Sequence, residues 1–175
     1  VFTEVVRQIA EWKKHGQGSI RVSINFSASQ FLKKDLMENI QSIMEKYEVD
    51  PKYVEIEVTE SVFFENKEII NDIIQEIRDF GISVSIDDFG TDYATFQYLN
   101  KLNFDKLKID RSFIRDIASP SSTNRILTEM LIKLAKSLNL EVVAEGVETE
   151  AQYHVLKELG CDELQGYLLG RPLAC

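Results

Sequence analysis

The chain has 175 residues, with 20 lysine and arginine residues against 29 aspartate and glutamate residues, and a net charge of −9 at pH 7. Hydrophobic residues make up 44% of it, an ordinary globular composition that excludes disordered and collagen-like chains and fits one domain. The acidic balance argues against a partner that is a DNA or RNA polymer, and no apolar run approaches the ~18 residues of a membrane-spanning helix.

The first half of the chain alternates between helical and strand patterns. Apolar residues recur at helical spacing over residues 2–14, and the β-branched run 19–26 is typical of a strand. A buried stripe of isoleucines at positions 69, 70, 73, 74 and 77 indicates a later amphipathic helix. In chain order we predict helix 35–47, strand 53–58, helix 67–80 and strand 82–86.

The second half continues the same alternation. In order we predict a short helix 93–102, strand 105–109, helix 124–138, strand 140–144, helix 150–159 and a last strand 161–167. Six strands separated by helices imply an α/β fold with a largely parallel sheet. A (β/α)8 TIM-like barrel has eight such units in about 250 residues, so we expect an incomplete barrel of about six units that lacks its opening strands.

Each predicted strand ends in polar residues that an apolar core would not select. In chain order they are Asn25; Glu57, with Thr59 and Glu60; Asp87 and Asp88; Lys108 and Asp110; Glu145; and Gln165. Because parallel strands of an α/β fold finish at one rim, we expect these side chains to converge there.

The oxygen donors in this set suit hard divalent cations. Asn25, Glu57, Asp87, Asp88 and Glu145 have no histidine or cysteine among them, which favours Mg²⁺, Mn²⁺ or Ca²⁺ over Zn²⁺. Adjacent aspartates can divide between two ions, and two metals about 3.5–4 Å apart are a common device for phosphodiester hydrolysis. A lysine beside them could orient the attacking water or offset charge on the phosphate.

Each residue also has a simpler interpretation. The Asp87–Asp88 pair could be a polar loop, and Glu57 could be a solvated partner of Lys52. Lys108 could be a solvated strand residue, and Asn25 could tie down a loop. The convergence at every strand end favours a site for phosphodiester hydrolysis. The alternative is a Mg²⁺-dependent phosphatase or an aldolase-like barrel that acts on simple phosphate esters.

Six stretches spanning nearly the whole chain carry a family resemblance. They are VSINFSASQF, EIEVTES, SIDDFGTDYATFQYL, KLKIDRSFI, VVAEGVETEAQ and GCDELQGYLLGRPL. In order and spacing the sequence resembles the EAL-domain family of bacterial cyclic-di-GMP phosphodiesterases. The resemblance implies a (β/α)8-type barrel and hydrolysis of cyclic-di-GMP to linear pGpG by a water activated by two Mg²⁺ or Mn²⁺ ions.

The resemblance also implies roles for individual residues. Asn25, Glu57, Asp87 and Asp88 match the family's metal ligands, and Glu145 matches a further metal-site glutamate. The remaining matches are Lys108, which matches the lysine contacting the catalytic water; Glu60, which matches a glutamate bracing the loop after the aspartate pair; and Asp110, Gln165, Arg171 and Pro172, in motifs at the ligand cleft. Lys108, Glu145 and Asp87 are the expected catalytic residues.

Two departures from the family pattern bear on activity. The Glu-Ala-Leu motif lies, in the family, upstream of the helix with which this chain begins, so residues 1–175 are expected to be the C-terminal three quarters of the domain. We therefore expect little activity from these residues alone. Asp92 also replaces the glycine of the family's DDFGTG motif. The alternative is a catalytically degenerate domain that binds cyclic-di-GMP or a protein partner.

The resemblance further implies partners and a location. We expect cyclic-di-GMP as ligand, a homodimer, and a regulatory sensor or diguanylate-cyclase (GGDEF) domain in the parent chain. Cys161 and Cys175 form no CxxC motif, which fits a reducing cytoplasm. The parent could still attach to a membrane through another domain.

Overall fold

A computed structural model of the chain describes residues 1–17, 20–64, 67–90 and 103–172. The described strands are β1 (Val22–Phe26), β2 (Val54–Thr59), β3 (Ser83–Phe89), β4 (Lys106–Ile109), β5 (Glu141–Ala144) and β6 (Glu163–Leu164). The described helices are α1 (Phe2–Lys14), α2 (Ala28–Phe31), α3 (Leu36–Tyr47), α4 (Lys67–Asp79), α5 (Arg111–Ile114), α6 (Thr123–Ser137) and α7 (Glu150–Leu159). The predicted helix 93–102 and Asp92 lie outside these ranges.

The strands form one sheet in chain order, from β1 to β6. The pairs β1–β2, β4–β5 and β5–β6 are parallel, and described helices connect β1 to β2, β2 to β3, β4 to β5 and β5 to β6. The α/β class with a largely parallel sheet is therefore confirmed. No helix among the described residues is long and apolar enough to cross a membrane.

The chain divides into two compact units. The N-terminal unit comprises residues 1–85 with 103–104, and the C-terminal unit comprises residues 86–90 with 105–172, as far as they are described. In the N-terminal unit, β2 is buried on both faces, and α4 buries Ile70, Ile74 and Ile77 completely. The predicted isoleucine stripe is wrong at Ile69, which is 49% exposed because it lies off the buried face of the helix.

In the C-terminal unit, β4 is buried along its whole length and β5 pairs beside it. Helix α7 begins with a capping box, in which Thr149 accepts a hydrogen bond from the Gln152 backbone N–H. The side chain of Gln152 in turn donates to the backbone oxygen of Ile114, at 3.3 Å. The end of the short helix α5 is thereby attached to the start of α7.

The predicted end of β3 is wrong, and the last strand is shorter than the range 161–167 that was predicted to contain it. Strand β3 runs on to Phe89, so the aspartate pair lies within the strand and not in a loop after it. Phe89, the last residue of the strand, is fully buried, which is consistent with the strand continuing past the polar pair. The last strand contains only residues 163–164, since the backbone turns at Gly166, where two hydrogen bonds close onto its carbonyl oxygen.

Candidate active site

In the N-terminal unit, Asn25 and Glu57 are register partners on the parallel strands β1 and β2. Opposed residues of neighbouring strands project from the same face of a sheet, so the two side chains are neighbours. Asn25 is exposed, whereas Glu57 is only 6% exposed. The interpretation of Glu57 as a solvated partner of Lys52 is wrong, since Lys52 pairs with Asp50 at 2.7 Å.

In the C-terminal unit, three carboxylates lie together. Asp87, Asp88 and Glu145 each offer an oxygen, and these oxygens all lie within 4.8 Å of one another. Asp87 and Asp88 come from the end of β3, and Glu145 directly follows β5. Asp88 has a left-handed backbone (φ 54°), and its N–H donates to the Asp87 carboxylate at 3.1 Å. The expected convergence of strand ends is thus observed for these three residues.

Lys108 joins the same cluster from β4. Its Nζ atom lies 2.7 Å from a Glu145 oxygen and 3.0 Å from an Asp87 oxygen, and its side chain is only 5% exposed. The interpretation of Lys108 as a solvated strand residue is therefore wrong. One ammonium group among three carboxylates leaves a negative balance, which is a suitable environment for cations.

Asp88 shows the electrostatic consequence of this crowding. Partial burial raises the pKa of the Asp88 carboxyl, and the neighbouring charges of Asp87 and Asp110 raise it further. The positive charges of Lys108 and Arg111 act in the opposite direction and lower this pKa. A further positive charge would stabilise the ionised cluster.

Two other predicted residues occupy defined positions. Glu60 begins a short 3-10 segment, Glu60–Phe64, in the N-terminal unit and is only 2% exposed. Asp110 lies in the C-terminal unit, where its carboxylate accepts a hydrogen bond from the Ser112 N–H at 2.9 Å and caps α5. Asp110 therefore has a structural role that the sequence did not suggest, besides its charge near Asp88.

The C-terminal segment contains the last three predicted residues. Gln165 follows β6 with an exposed side chain, while its backbone N–H donates to Ala144 at 2.9 Å. The guanidinium of Arg171 lies over the Tyr167 ring, 4.7 Å from its centre, and Pro172 is exposed. This aromatic stacking, which the sequence did not indicate, orients Arg171.

Sequence reasoning missed Arg111 as a part of this site. Its side chain is exposed, and its charge acts on the Asp88 carboxyl. The available signal was its position directly after the KID stretch, as a second basic residue close to Lys108.

Comparison with known proteins identifies similar chains. The sequence model of the EAL domain matches residues 1–172. The chain is 39% identical over 173 residues to the bifunctional diguanylate cyclase/cyclic di-GMP phosphodiesterase MucR of Pseudomonas aeruginosa, covering 99% of this chain and 25% of the relative. It is 37% identical to the cyclic di-GMP phosphodiesterase NbdA of the same organism, covering 99% of this chain and 22% of the relative. The chain thus spans about a quarter of the length of these relatives.

Solved structures with the same fold contain ligands. The complex of the PaMucR phosphodiesterase with c-di-GMP matches with a TM-score of 0.91 and 37% identity, over 99% of this chain and 70% of that chain. The calcium and cyclic-di-GMP complex of Klebsiella pneumoniae BlrP1 matches with a TM-score of 0.84 and 28% identity, over 98% and 44% of the two chains.

Proposed function

This chain belongs to the EAL-domain family, and from that premise we propose that it acts as a cyclic-di-GMP phosphodiesterase domain that produces linear pGpG. The observation that carries the proposal is the cluster of Asp87, Asp88 and Glu145, within 4.8 Å of one another and paired with the buried Lys108. Relatives that match along the whole chain are named as cyclic di-GMP phosphodiesterases, which supports the proposed substrate.

The donor set fits divalent cations. Asp87, Asp88 and Glu145 present only oxygen ligands, the kind that Mg²⁺ and Mn²⁺ prefer. Burial first, and then the charges of Asp87 and Asp110, raise the pKa of the Asp88 carboxyl, and a bound cation would offset both effects. We assign two Mg²⁺ or Mn²⁺ ions to the site, and the calcium in the BlrP1 complex supports a hard cation in this fold. When bound, such ions would supply Lewis-acid stabilisation of the phosphate and a more acidic water.

The remaining catalytic roles are assigned to side chains of the protein. Lys108 is a fixed cation, because its two carboxylate partners hold the ammonium group in a mostly buried position. We assign it to orienting the attacking water and to offsetting charge that develops on the phosphate. Asp87 and Glu145 hold this lysine and also contribute metal ligands, so each substitution there removes two functions.

The other family matches complete the assignment as proposals. Asn25 and Glu57 are assigned as additional metal ligands. The assignment is supported by their register on β1 and β2, which places both side chains on the same face of the N-terminal unit's strands. Glu60 is assigned to bracing the loop after the aspartate pair. The residues assigned to the ligand cleft are Asp110, Gln165, Arg171 and Pro172.

The direct test is hydrolysis of cyclic-di-GMP by the full-length protein. With Mg²⁺ or Mn²⁺ we expect pGpG to accumulate, and we expect D87N and E145Q to lower the rate by at least about hundredfold, in the range seen when catalytic electrostatic groups are removed. E129Q, which alters an exposed ion pair with Lys133 on α6, should act like wild type. Absence of turnover with either ion, despite bound cyclic-di-GMP, would contradict the phosphodiesterase proposal.

The second candidate is a domain that binds cyclic-di-GMP without cutting it. The observation that favours it is Asp92, in place of the family glycine. Equilibrium binding of the dinucleotide without hydrolysis, together with restored hydrolysis in D92G, would establish this alternative. If D92G and wild type hydrolyse at the same rate, Asp92 has no bearing on catalysis.

The context of the domain is also part of the proposal. We propose a homodimer, a cytoplasmic location, and a GGDEF or sensor domain in the same protein, as the bifunctional name of the MucR relative suggests for that protein. Light scattering of the full-length protein measures the oligomeric state. A monomer at all concentrations would contradict the dimer.

A further inference from the structure

The short helix α5 contacts the turn that follows the aspartate pair. Gly90 has φ +101°, and a Cβ atom added there would lie 2.7 Å from two ring carbons of Phe113. The ring therefore occupies the space that any side chain at position 90 would need. Gly90 lies two residues after Asp88, so the ring packs against the same turn that carries this carboxylate.

The same helix also contacts the turn that follows Glu145. Gly146 has φ +69°, and a Cβ atom added there would overlap the Arg111 Cβ and lie 3.3 Å from the Arg111 Cα. The first turn of α5 thus fits closely against two glycines. Each of these glycines is adjacent, or nearly so, to a carboxylate of the cluster.

Helix α5 is itself firmly attached on its other sides. Asp110 caps its first turn at the Ser112 N–H, and the Asn124 side chain donates to the Ser112 oxygen at 3.0 Å. Gln152, only 6% exposed, donates to the Ile114 oxygen at 3.3 Å. A short helix with hydrogen bonds at both ends has little freedom to move, so it can act as a fixed spacer.

We propose that α5 sets the separation of the Asp88 and Glu145 carboxylates, and that Phe113 is a positioning residue for divalent-cation binding at this pair. The inference rests on the proposed function only in taking these carboxylates as metal ligands. The ring acts through the backbone of Gly90, against which it packs. If the ring merely filled space, its removal would lower stability without changing cation affinity.

The test is Mn²⁺ binding to the full-length protein, followed by the electron paramagnetic resonance signal of free Mn²⁺. We expect F113A to weaken Mn²⁺ binding about tenfold to hundredfold, as substitutions behind metal ligands commonly do, and F113L to recover most of the affinity. I117A is the matched control: Ile117 is fully buried just beyond α5, and neither glycine's nearest neighbours include it. I117A should lose stability in urea unfolding and bind Mn²⁺ like wild type.

A second pair of variants tests the Arg111 side of α5. G146A and G160A place alanine at similar left-handed angles, φ +69° and φ +83°, but only the Gly146 position has a neighbour within 4 Å. We expect G146A to weaken Mn²⁺ binding and G160A to leave it unchanged. If F113A and G146A both bind Mn²⁺ with wild-type affinity, the spacer role of α5 is overturned and the proposed phosphodiesterase function is not affected. If the wild-type protein itself binds no Mn²⁺, both the spacer role and the metal-dependent function are overturned.

Discussion

The ammonium group of Lys108 lies 2.7 Å from the carboxylate of Glu145, with both side chains largely shielded from water. Glu145 directly follows β5, and its backbone N–H donates to the oxygen of Ile109, the residue after Lys108. The ion pair is thus supported by the continuing β4–β5 ladder. Shielding strengthens the attraction and also raises the cost of leaving either group alone.

Removal of the Lys108 charge is expected to destabilise the protein. In K108M, Asp87 and Glu145, whose side chains are 13% and 18% exposed, lose their shared cation and repel each other. The free energy of unfolding should fall by about 3 kcal/mol in metal-free buffer, the usual cost of breaking a buried pair. Urea unfolding with and without Mg²⁺ measures this, and the cation should stabilise K108M more than wild type.

Lys106, two residues earlier on β4, supplies a matched control. Its side chain is also 5% exposed, but its partners Glu163 and Glu141 are 52% and 58% exposed and remain hydrated without it. K106M should therefore cost about 1 kcal/mol or less. An equal loss in K106M and K108M would show that partner burial does not decide the cost.

Gly166 is expected to tolerate no side chain. A Cβ atom added there would collide with the backbone nitrogen and oxygen of Val147 and lie 2.7 Å from its carbonyl carbon. Backbone atoms cannot rotate away, so G166A should lose about 3 kcal/mol of stability, at the upper end for overpacking, and displace the adjacent Gln165. Thermal unfolding measures this, with G170A as the control, because a Cβ at Gly170 has nothing within 4 Å.

Cys161 is expected to react slowly with thiol reagents. Burial raises the pKa of its thiol to about 11, although its hydrogen bond to Glu163 opposes the shift. Since the thiolate is the reactive form, labelling at pH 7.5 should be roughly three-hundredfold slower than for a free cysteine of pKa ~8.5. Iodoacetamide kinetics in a C175S background measure this, and rapid labelling of the folded protein would contradict the prediction.

The same shift predicts a dependence of stability on pH. The folded protein keeps the Cys161 proton to about pH 11, whereas the unfolded chain releases it near the ordinary cysteine pKa of 9.0. Between these values the unfolded state binds fewer protons, so this group lowers the free energy of unfolding as pH rises. The stabilisation from this thiol is fully present below about pH 9 and is lost as the pH rises towards 11. It is measured by comparing how the free energy of unfolding changes with pH in wild type and in C161S.

Long periodic elements were predictable, and short ones were not. Helix α7 was predicted with its observed bounds, because Gly160 marks its end and does adopt the left-handed conformation there. Helices α2 and α5 contain four residues each, too few for a 3.6-residue period to show. Since α5 contacts both Gly90 and Gly146, the unpredicted element is the one that packs against the site.

Polar residues at the strand ends were predictable as a group, but their partners were not. Charged residues at the ends of predicted strands indicated a site containing Asp87, Asp88, Lys108 and Glu145, and these four side chains lie together in the structure. The end of β3 was misplaced because polar pattern indicates a loop, while the strand continues to the buried Phe89. Burial of a charged side chain is a tertiary property that composition does not encode.

The left-handed backbone at Asp88 restricts which amino acids can occupy position 88. At φ 54° a β-branched side chain is strained, while asparagine and glycine are tolerated. Asparagine alone keeps an oxygen donor of similar size while removing the charge. Because we propose Asp88 as a metal ligand, we expect D88N to weaken cation binding while keeping this backbone conformation, which makes it the variant of choice for a complex with intact cyclic-di-GMP.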